Sequence, residues 1–187
     1  MAASLPLIRA RVPDVQFVVA AAPNLADELF EPLVRLEADT TESMRTETVA
    51  SGFSRTIVLR EQTDDVLAAS DVVITASGTA TVQAALHERP MVVVYKLSPL
   101  TYRLGKPFVR VDTYAMANLV AGKRVVPELI QEGFTAERVA EEAIRFLTDG
   151  ELYTRTRDEL RLVREKLGEP GASGRAADAV LAAASRR

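Results

Sequence analysis

The chain has 187 residues, of which 48% are apolar and 26% are charged, and its formal net charge is −3. This length is enough for one α/β domain with a sizeable core, or for such a domain followed by a helical tail. The charge argues against nucleic acid as the main partner, because no surplus of Lys and Arg is available to neutralise phosphates. The absence of Cys excludes thiolate chemistry, and a single His leaves little scope for a zinc site or a Ser-His-Asp triad.

The first half of the chain predicts alternating strands and helices. In chain order, the patterns predict a helix over 1–12, a strand over 15–20, a helix over 24–36, a polar loop over 38–55, a strand over 56–60 and a helix over 63–70. Two short apolar runs, 71–75 and 91–95, predict buried parallel strands on either side of one helix. His87 lies near the end of that helix, and we interpret it as a charge suited to the helix dipole. Because a parallel α/β domain normally opens with a strand, we expect the chain to be cut at its amino end.

The second half of the chain becomes wholly helical after Gly133. The patterns predict a Pro-started helix over 98–106, a weaker strand over 108–112, a short helix over 116–121, a Pro-started short helix over 127–130, a helix capped by Thr135, a charged helix over 152–167 and an Ala-rich helix over 175–184. The predicted fold class is α/β with a doubly wound parallel sheet. We divide the chain into an N-terminally truncated Rossmann-like domain over 1–150 and a helical C-terminal tail over 151–187.

The stretch from Ser77 through Gly78, Thr79 and Ala80 to Thr81 lies between a predicted buried strand and a predicted helix. Such a turn brings free backbone N–H groups and the positive end of a helix to the carboxyl edge of a parallel sheet, where doubly wound proteins bind phosphate. Gly78 would let the backbone approach a ligand closely. Ser, Gly and Thr are also ordinary helix-capping residues, so the turn by itself leaves a phosphate site and a simple cap as alternatives.

Two other polar side chains fall where a ligand held at this turn could reach them. Gln83 lies one helical turn beyond Thr79 on the same face, about 6 Å along the axis, which would suit a sugar attached to the phosphate. Asn118 follows a predicted strand and can present both an acceptor and donors to a ligand. A surface Gln and a turn or cap Asn are the ordinary alternatives. Four basic residues could either neutralise a phosphate or simply be exposed: Lys96, Arg103, Lys123 and Arg124.

Several motifs, taken together and in order, resemble the lipid-A-disaccharide synthase family. They lie at residues 13–18, 76–81, 90–95, 98–102, 118–122, 126–131 and 171–173, so the resemblance covers nearly the whole chain. The family is similar to other inverting, metal-independent glycosyltransferases with two Rossmann-like domains, the GT-B architecture. The resemblance implies that the chain is most of the C-terminal, nucleotide-binding half of such an enzyme, with no cofactor.

The activity that the resemblance implies is transfer of diacylglucosamine from UDP-2,3-diacylglucosamine to 2,3-diacylglucosamine 1-phosphate, with release of UDP. The candidate Asp base is expected in the N-terminal half, so the isolated chain is expected to be inactive. The resemblance implies these contacts with the nucleotide-sugar: Ser77, Gly78, Thr79, Ala80 and Thr81 at the diphosphate, Gln83 at the ribose, Gln62 and Thr63 near the uracil, and Asn118 beside the nucleotide-sugar.

The chain departs from the family pattern in two ways. Gln83 stands where the family usually has Glu, and a neutral Gln loses the charge-assisted part of a bond to the ribose hydroxyls. The family's Gly-Ser-Arg segment is expected before Met1, as is the N-terminal domain through which membrane contact would occur. Two alternatives remain: a related UDP-sugar enzyme that shares the turn but not segments 98–102 and 118–122, and a non-catalytic α/β nucleotide-binding or assembly module.

The sequence also bears on location. No apolar run approaches the roughly 20 residues that a membrane-spanning helix needs, and residues 1–13 lack the apolar core of a signal peptide. We therefore expect a cytoplasmic protein, with peripheral contact at the inner membrane as the alternative. Homo-oligomer formation is left open, and no metal or nucleic acid is expected as a partner.

Overall fold

The computed structural model describes residues 1–22, 25–30, 56–98, 113–169 and 171–185. Strands and helices alternate through the first part of the chain, and helices dominate after residue 133. The strands in these ranges are β1 (Val18–Ala21), β2 (Ile57–Arg60), β3 (Val73–Ala76), β4 (Met91–Tyr95) and β5 (Glu128–Ile130). The α-helices are α1 (Leu5–Arg11), α2 (Thr63–Ala69), α3 (Thr79–Leu86), α4 (Met116–Ala121), α5 (Ala136–Thr148), α6 (Gly150–Leu167) and α7 (Ala172–Ala184). Short 3-10 turns cover Ala2–Ser4, Asp27–Leu29 and Gln131–Gly133.

Strand β4 lies at the centre of a three-stranded parallel sheet with the order β3–β4–β5, in which Val93 pairs with Glu128. Its side chains alternate between two hydrophobic clusters. Met91 and Val93 belong to one cluster, whereas Val92 and Val94 belong to the other. A strand that is buried on both faces needs apolar side chains at every position, which explains the uninterrupted run from which it was predicted.

Helices cover both faces of this sheet. On one face, α3, α4 and α6 bring Ala84, Ala117 and Leu160 into the cluster that contains Met91. On the other face, α1 and α5 contact each other and contribute the buried residues Ile8, Val139, Ala140, Ala143 and Phe146. The resulting three layers confirm the predicted α/β class with a doubly wound parallel sheet.

Strands β1 and β2 form a second, two-stranded parallel sheet, in which Val18 pairs with Ile57. Among the described strands, neither β1 nor β2 is hydrogen-bonded to the β3–β4–β5 sheet. Phe17, directly before β1, packs against the hydrophobic cluster that contains Val92 and Val94, so the chain that enters β1 contacts the core beneath the larger sheet. Val18 and Ile57 are 40% and 47% exposed, which leaves this smaller sheet only partly covered.

Most of the predicted elements are confirmed, but the short helix predicted over 127–130 is wrong. Residues Glu128–Ile130 form strand β5. The carbonyl of Pro127 accepts a hydrogen bond of 3.0 Å from the N–H of Val93, and Leu129 is buried. Pairing with β4 therefore outweighs the local helix-start signal of Pro127, which precedes a strand at a position that needs no N–H.

Other element boundaries shift, and some predictions lie outside the described residues. The predicted helix over 24–36 is described only for 25–30, where a 3-10 turn covers Asp27–Leu29. The loop over 38–55, the helix over 98–106 and the strand over 108–112 fall outside those residues, except for position 98. The last helix begins at Ala172 and not at Arg175.

The division into 1–150 and 151–187 stays a prediction. Helix α6 begins at Gly150, and its residues Leu160 and Val163 belong to the same cluster as Met91. Helix α7 contains no buried residue. None of the described helices is both long enough and apolar enough to span a membrane.

Candidate functional site

The predicted phosphate turn connects β3 directly to α3. The N–H of Ser77 donates to the carbonyl of Val94 at 3.1 Å, so the pairing of β3 with β4 continues for one residue beyond the end of β3. Gly78 follows with φ of 146° and ψ of −160°, a backbone conformation that side chains with a Cβ rarely adopt. Helix α3 begins at the next residue, Thr79. Glycine is therefore strongly favoured where the chain passes from strand to helix without an intervening loop.

Open space lies beside Gly78, because no described atom comes within 4 Å of the position that a Cβ would take. Thr79 is exposed and Ala80 is half-buried. Within the described part of the chain, the N–H groups of Thr79 and Ala80 have no protein acceptor. The start of α3 therefore presents unsatisfied donors and the positive end of the helix dipole to open space.

Thr81 lies on the inner side of the turn. Its hydroxyl donates to the carbonyl of Gly78 at 2.7 Å, and its N–H donates to the same carbonyl at 3.1 Å. The residue is fully buried. Thr81 thus stabilises the turn from within, and the predicted contact of this residue with a diphosphate stays a prediction.

Ser77 connects the turn to the segment that precedes α4. Its hydroxyl donates to the carbonyl of Tyr114 at 2.7 Å. The hydroxyl proton is therefore directed at Tyr114, and a bond from it to a phosphate oxygen would require the hydroxyl to rotate. The same contact brings residues 77 and 114 together across 37 positions of the sequence.

Glu128 is the residue of this region that sequence reasoning missed. Its carboxylate accepts hydrogen bonds from the N–H of Tyr114 at 2.7 Å and from the N–H of Ala115 at 3.2 Å. It lies at the first position of β5 and is half-buried. Because residues 127–130 were predicted to be helical, no pattern placed this carboxylate beside the start of α4.

Asn118 is 1% exposed, and its side chain is fully used within the protein. The amide nitrogen donates to the carbonyl of Val126 at 2.9 Å and to the carboxylate of Glu128 at 2.7 Å. The amide oxygen accepts from the N–H groups of Val125 at 2.8 Å and Val126 at 3.0 Å. All four hydrogen-bonding positions of the side chain are occupied, so a direct bond to a ligand would replace one of these contacts.

The remaining predicted residues lie on the protein surface. Gln83 is exposed on α3 and, within the described part of the chain, makes no side-chain hydrogen bond. Gln62 and Thr63 are exposed where α2 begins, shortly after the carboxyl end of β2. The hydrogen bond between Ser77 and Tyr114 therefore joins the turn to the region of Asn118. No described hydrogen bond joins Gln62 or Thr63 to either of these regions.

Charged residues near the edge of the sheet were also predicted as candidates. The ammonium of Lys123 lies 2.7 Å from the carboxylate of Glu159 on α6, so it is committed to an ion pair. Lys96 is exposed after β4, and Arg103 lies outside the described residues. The imidazole of His87, at the end of α3, lies 3.2 Å from the carboxylate of Asp64. In the described ranges, no group of acidic or His side chains is arranged to hold a metal ion.

A family model described as lipid-A-disaccharide synthetase matches residues 8–183. The lipid-A-disaccharide synthase of Geobacter sulfurreducens is 42% identical over 174 residues, which cover 93% of this chain and 41% of that protein. The enzyme of the same name from Geobacter metallireducens is 43% identical over 178 residues, covering 95% of this chain and 42% of that protein. The one from Anaeromyxobacter dehalogenans strain 2CP-C is 41% identical over 174 residues, covering 93% and 42%. The chain therefore spans about two fifths of the length of these curated relatives.

Proposed function

Because the chain belongs to the lipid-A-disaccharide synthase family of glycosyltransferases, we propose that it supplies the UDP-sugar-binding part of such an enzyme. The complete protein would transfer diacylglucosamine from UDP-2,3-diacylglucosamine to 2,3-diacylglucosamine 1-phosphate and release UDP. These lipid-linked sugars are the proposed partners. The proposed location is the cytoplasm, with peripheral contact at the inner membrane.

The turn at the start of α3 is the observation that carries this proposal. The N–H groups of Thr79 and Ala80 have no acceptor in the described part of the chain, and the space beside Gly78 is open. An anion placed there would satisfy two donors and meet the positive end of the helix dipole. A diphosphate carries the negative charge and the oxygen acceptors that such a place favours.

The other contacts of the proposal follow from this diphosphate position. Gln83 would bond the ribose hydroxyls from the exposed face of α3, one turn beyond Thr79. The surface around Gln62 and Thr63 would lie near the uracil. Asn118 would lie beside the nucleotide-sugar, because Ser77 joins its segment of the chain to the turn. Its own side chain would stay inside the protein, bonded to Glu128.

In this proposal, the chain contributes to the reaction by stabilising the leaving group. Negative charge develops on the diphosphate of UDP as the glycosidic bond to the donor sugar breaks. Preorganised N–H groups and a helix dipole stabilise such charge without reorganising at the moment of reaction. We further propose that inversion at the donor carbon uses an Asp base from the part of the enzyme outside this chain, with no metal ion required.

The second candidate function is a non-catalytic α/β module that binds a nucleotide or assists assembly. The exposed, neutral Gln83 is the observation that favours it, because a carboxylate would be the stronger acceptor for ribose hydroxyls. This alternative uses the same phosphate turn as the first proposal, but the complete protein would catalyse no sugar transfer.

A calorimetric titration of the 187-residue chain with UDP tests the proposed site. We expect saturable binding with a dissociation constant in the millimolar range, and weaker binding of UMP because it lacks the second phosphate. Absence of binding at millimolar UDP would argue for a module that does not bind UDP. Equal binding of UDP and UMP would show that the turn does not bind the second phosphate.

A further inference from the structure

We propose that Glu128 is a positioning residue for the UDP site, and that it acts through Tyr114 on Ser77. The inference rests on the proposed function, because the site that Glu128 would position is the proposed diphosphate turn. Glu128 itself contacts no part of that turn in the described hydrogen bonds. Its effect would therefore be indirect and would depend on the contacts that join it to Ser77.

The carboxylate of Glu128 holds the chain where α4 begins. It accepts hydrogen bonds from the N–H of Tyr114 at 2.7 Å, from the N–H of Ala115 at 3.2 Å and from the amide of Asn118 at 2.7 Å. Helix α4 has no cap from its own N-cap residue, since Ala115 occupies that position. A negative charge at this end of the helix satisfies donors that would otherwise lack partners.

Tyr114 transmits this restraint to the proposed site. Its N–H is bound by Glu128, and its carbonyl accepts the hydroxyl proton of Ser77 at 2.7 Å. The carbonyl of Tyr114 shares one planar peptide unit with the N–H of Ala115, which Glu128 also binds at 3.2 Å, so fixing that N–H limits the directions in which the carbonyl can point. The carbonyl of Tyr114 in turn fixes the hydroxyl of Ser77, the residue from which the turn to Gly78 begins.

The other anchor of Ser77 does not depend on Glu128. The N–H of Ser77 donates to the carbonyl of Val94 in β4 at 3.1 Å. This backbone bond would remain if Glu128 were changed, so the turn would keep its path and lose only its side-chain anchor. We therefore expect a change at Glu128 to weaken UDP binding without removing the turn from the fold.

A double-mutant cycle on the 187-residue chain tests the proposal. Glu128→Gln replaces one of the two acceptor oxygens by an NH2 group, which cannot accept from an N–H, and Ser77→Ala removes the hydroxyl. We expect each change to raise the dissociation constant of UDP about tenfold, and the double change to raise it about tenfold as well, because both act through one contact. If Glu128 had a purely structural role, its change would lower the melting temperature of both the unchanged chain and the Ser77 variant. The two changes would then affect the dissociation constant of UDP independently of each other.

Glu88→Gln is the matched control. Glu88 is also a half-buried carboxylate, but it is paired with Arg157 and Arg164 of α6 beyond the other end of α3. We expect its change to alter the melting temperature and leave the dissociation constant of UDP unchanged. If the Gln variant at 128 does not fold, Glu128→Asp takes its place in the cycle, because it keeps the charge and shortens the side chain by one methylene.

The outcomes separate this inference from the proposed function. If the unchanged chain does not bind UDP, the proposed function fails and this inference fails with it. If the unchanged chain binds UDP and the Glu128 variant binds equally well, only the positioning role is overturned. An additive, about hundredfold loss in the double variant would also overturn it, because Glu128 would then act independently of Ser77.

Discussion

The amide nitrogen of Asn118 lies 2.7 Å from a carboxylate oxygen of Glu128, and this bond joins α4 to β5 across ten positions of the sequence. Asn118 also satisfies the N–H groups of Val125 and Val126, which lie in the connection between the two elements. One buried side chain thus satisfies three backbone groups of the turn that leads into the sheet.

Replacing Asn118 by Ala is expected to destabilise the fold by about 2–4 kcal/mol, because it leaves buried backbone donors unsatisfied. The measurement is the free energy of unfolding in denaturant. Leu119→Ala is the matched control, since Leu119 is the next residue of α4 and is 50% exposed. An Asn118 variant no less stable than the Leu119 variant would contradict the role assigned to this side chain.

Replacing Gly78 by Val is expected to abolish UDP binding and to cost about 1–3 kcal/mol of stability through backbone strain. The strain arises because φ at this residue is 146°, whereas the added Cβ itself would meet no described atom within 4 Å. UDP affinity and the melting temperature should be measured together. Unchanged affinity would remove the turn from the proposed site.

Gly150→Val provides the control for that change. The position that a Cβ would take at Gly150 is also open, and the backbone there is not left-handed. Gly150 is the first residue of α6, far along the chain from the proposed turn. We expect this variant to bind UDP as the unchanged chain does, with a small effect on stability.

Replacing Gln83 by Glu is expected to strengthen UDP binding by about 1 kcal/mol, because a carboxylate accepts a ribose hydroxyl better than an amide does. The nearby diphosphate charge opposes this gain. Gln16→Glu adds the same charge at an exposed position before β1, so it controls for the change in net charge. Weaker binding by the Gln83 variant alone would mean that this residue makes a different contact or lies away from the ribose.

The 187-residue chain alone is expected to form no disaccharide. The chain covers 41% of the Geobacter sulfurreducens relative, and the proposed Asp base lies outside it. Alignment of donor and acceptor between two domains can supply roughly 7–11 kcal/mol of the barrier. Disaccharide formation is measured by mass spectrometry after the chain has been incubated with both lipid substrates. The Geobacter sulfurreducens enzyme is the positive control. Turnover above a protein-free sample would show that the base and the second domain are not needed.

The N-terminus of α5 is expected to lose stability in acid. The N–H of Glu137 itself and the hydroxyl of Thr135 hold the pKa of the Glu137 carboxyl below its usual value of 4.5. Since the ionised form is favoured in the fold, its contribution is complete above pH 4.5 and is lost as the pH falls through the lowered value. Glu137→Gln should remove this part of the pH dependence of unfolding, and an unchanged profile would contradict the assignment.

The sequence predicted best where a residue's neighbours in the chain decide its structure. Strand β4 followed from its uninterrupted apolar run, and the cap of α5 followed from Thr135, whose hydroxyl accepts from the N–H of Arg138 at 3.3 Å. The turn to α3 followed from its position between a strand and a helix. In each case the decisive residues lie within a few positions of one another.

The sequence predicted less where the decisive contact is distant. Pro127 carries a local helix-start signal, but pairing with β4 makes the following residues a strand. The surroundings of Asn118 could not be predicted without that strand, because Glu128 reaches it only from β5. The inward orientation of Thr81 likewise depends on the core beneath α3 and not on the pattern of the turn.

The two apolar faces of β4 have a consequence for how its register is fixed. Sliding the strand by one residue would exchange one set of apolar side chains for another, so hydrophobic pattern alone does not select the register. In the observed register, the N–H of Val93 donates to the carbonyl of Pro127, the N–H of Ser77 donates to the carbonyl of Val94, and the carbonyl of Pro90 accepts from the N–H of Val73 in β3. A backbone bond from Ser77 thus joins the proposed phosphate turn to the central strand. An insertion or deletion in β4 would change the residue that pairs with Ser77, whereas an apolar substitution would not, so we expect β4 to tolerate apolar substitutions far better.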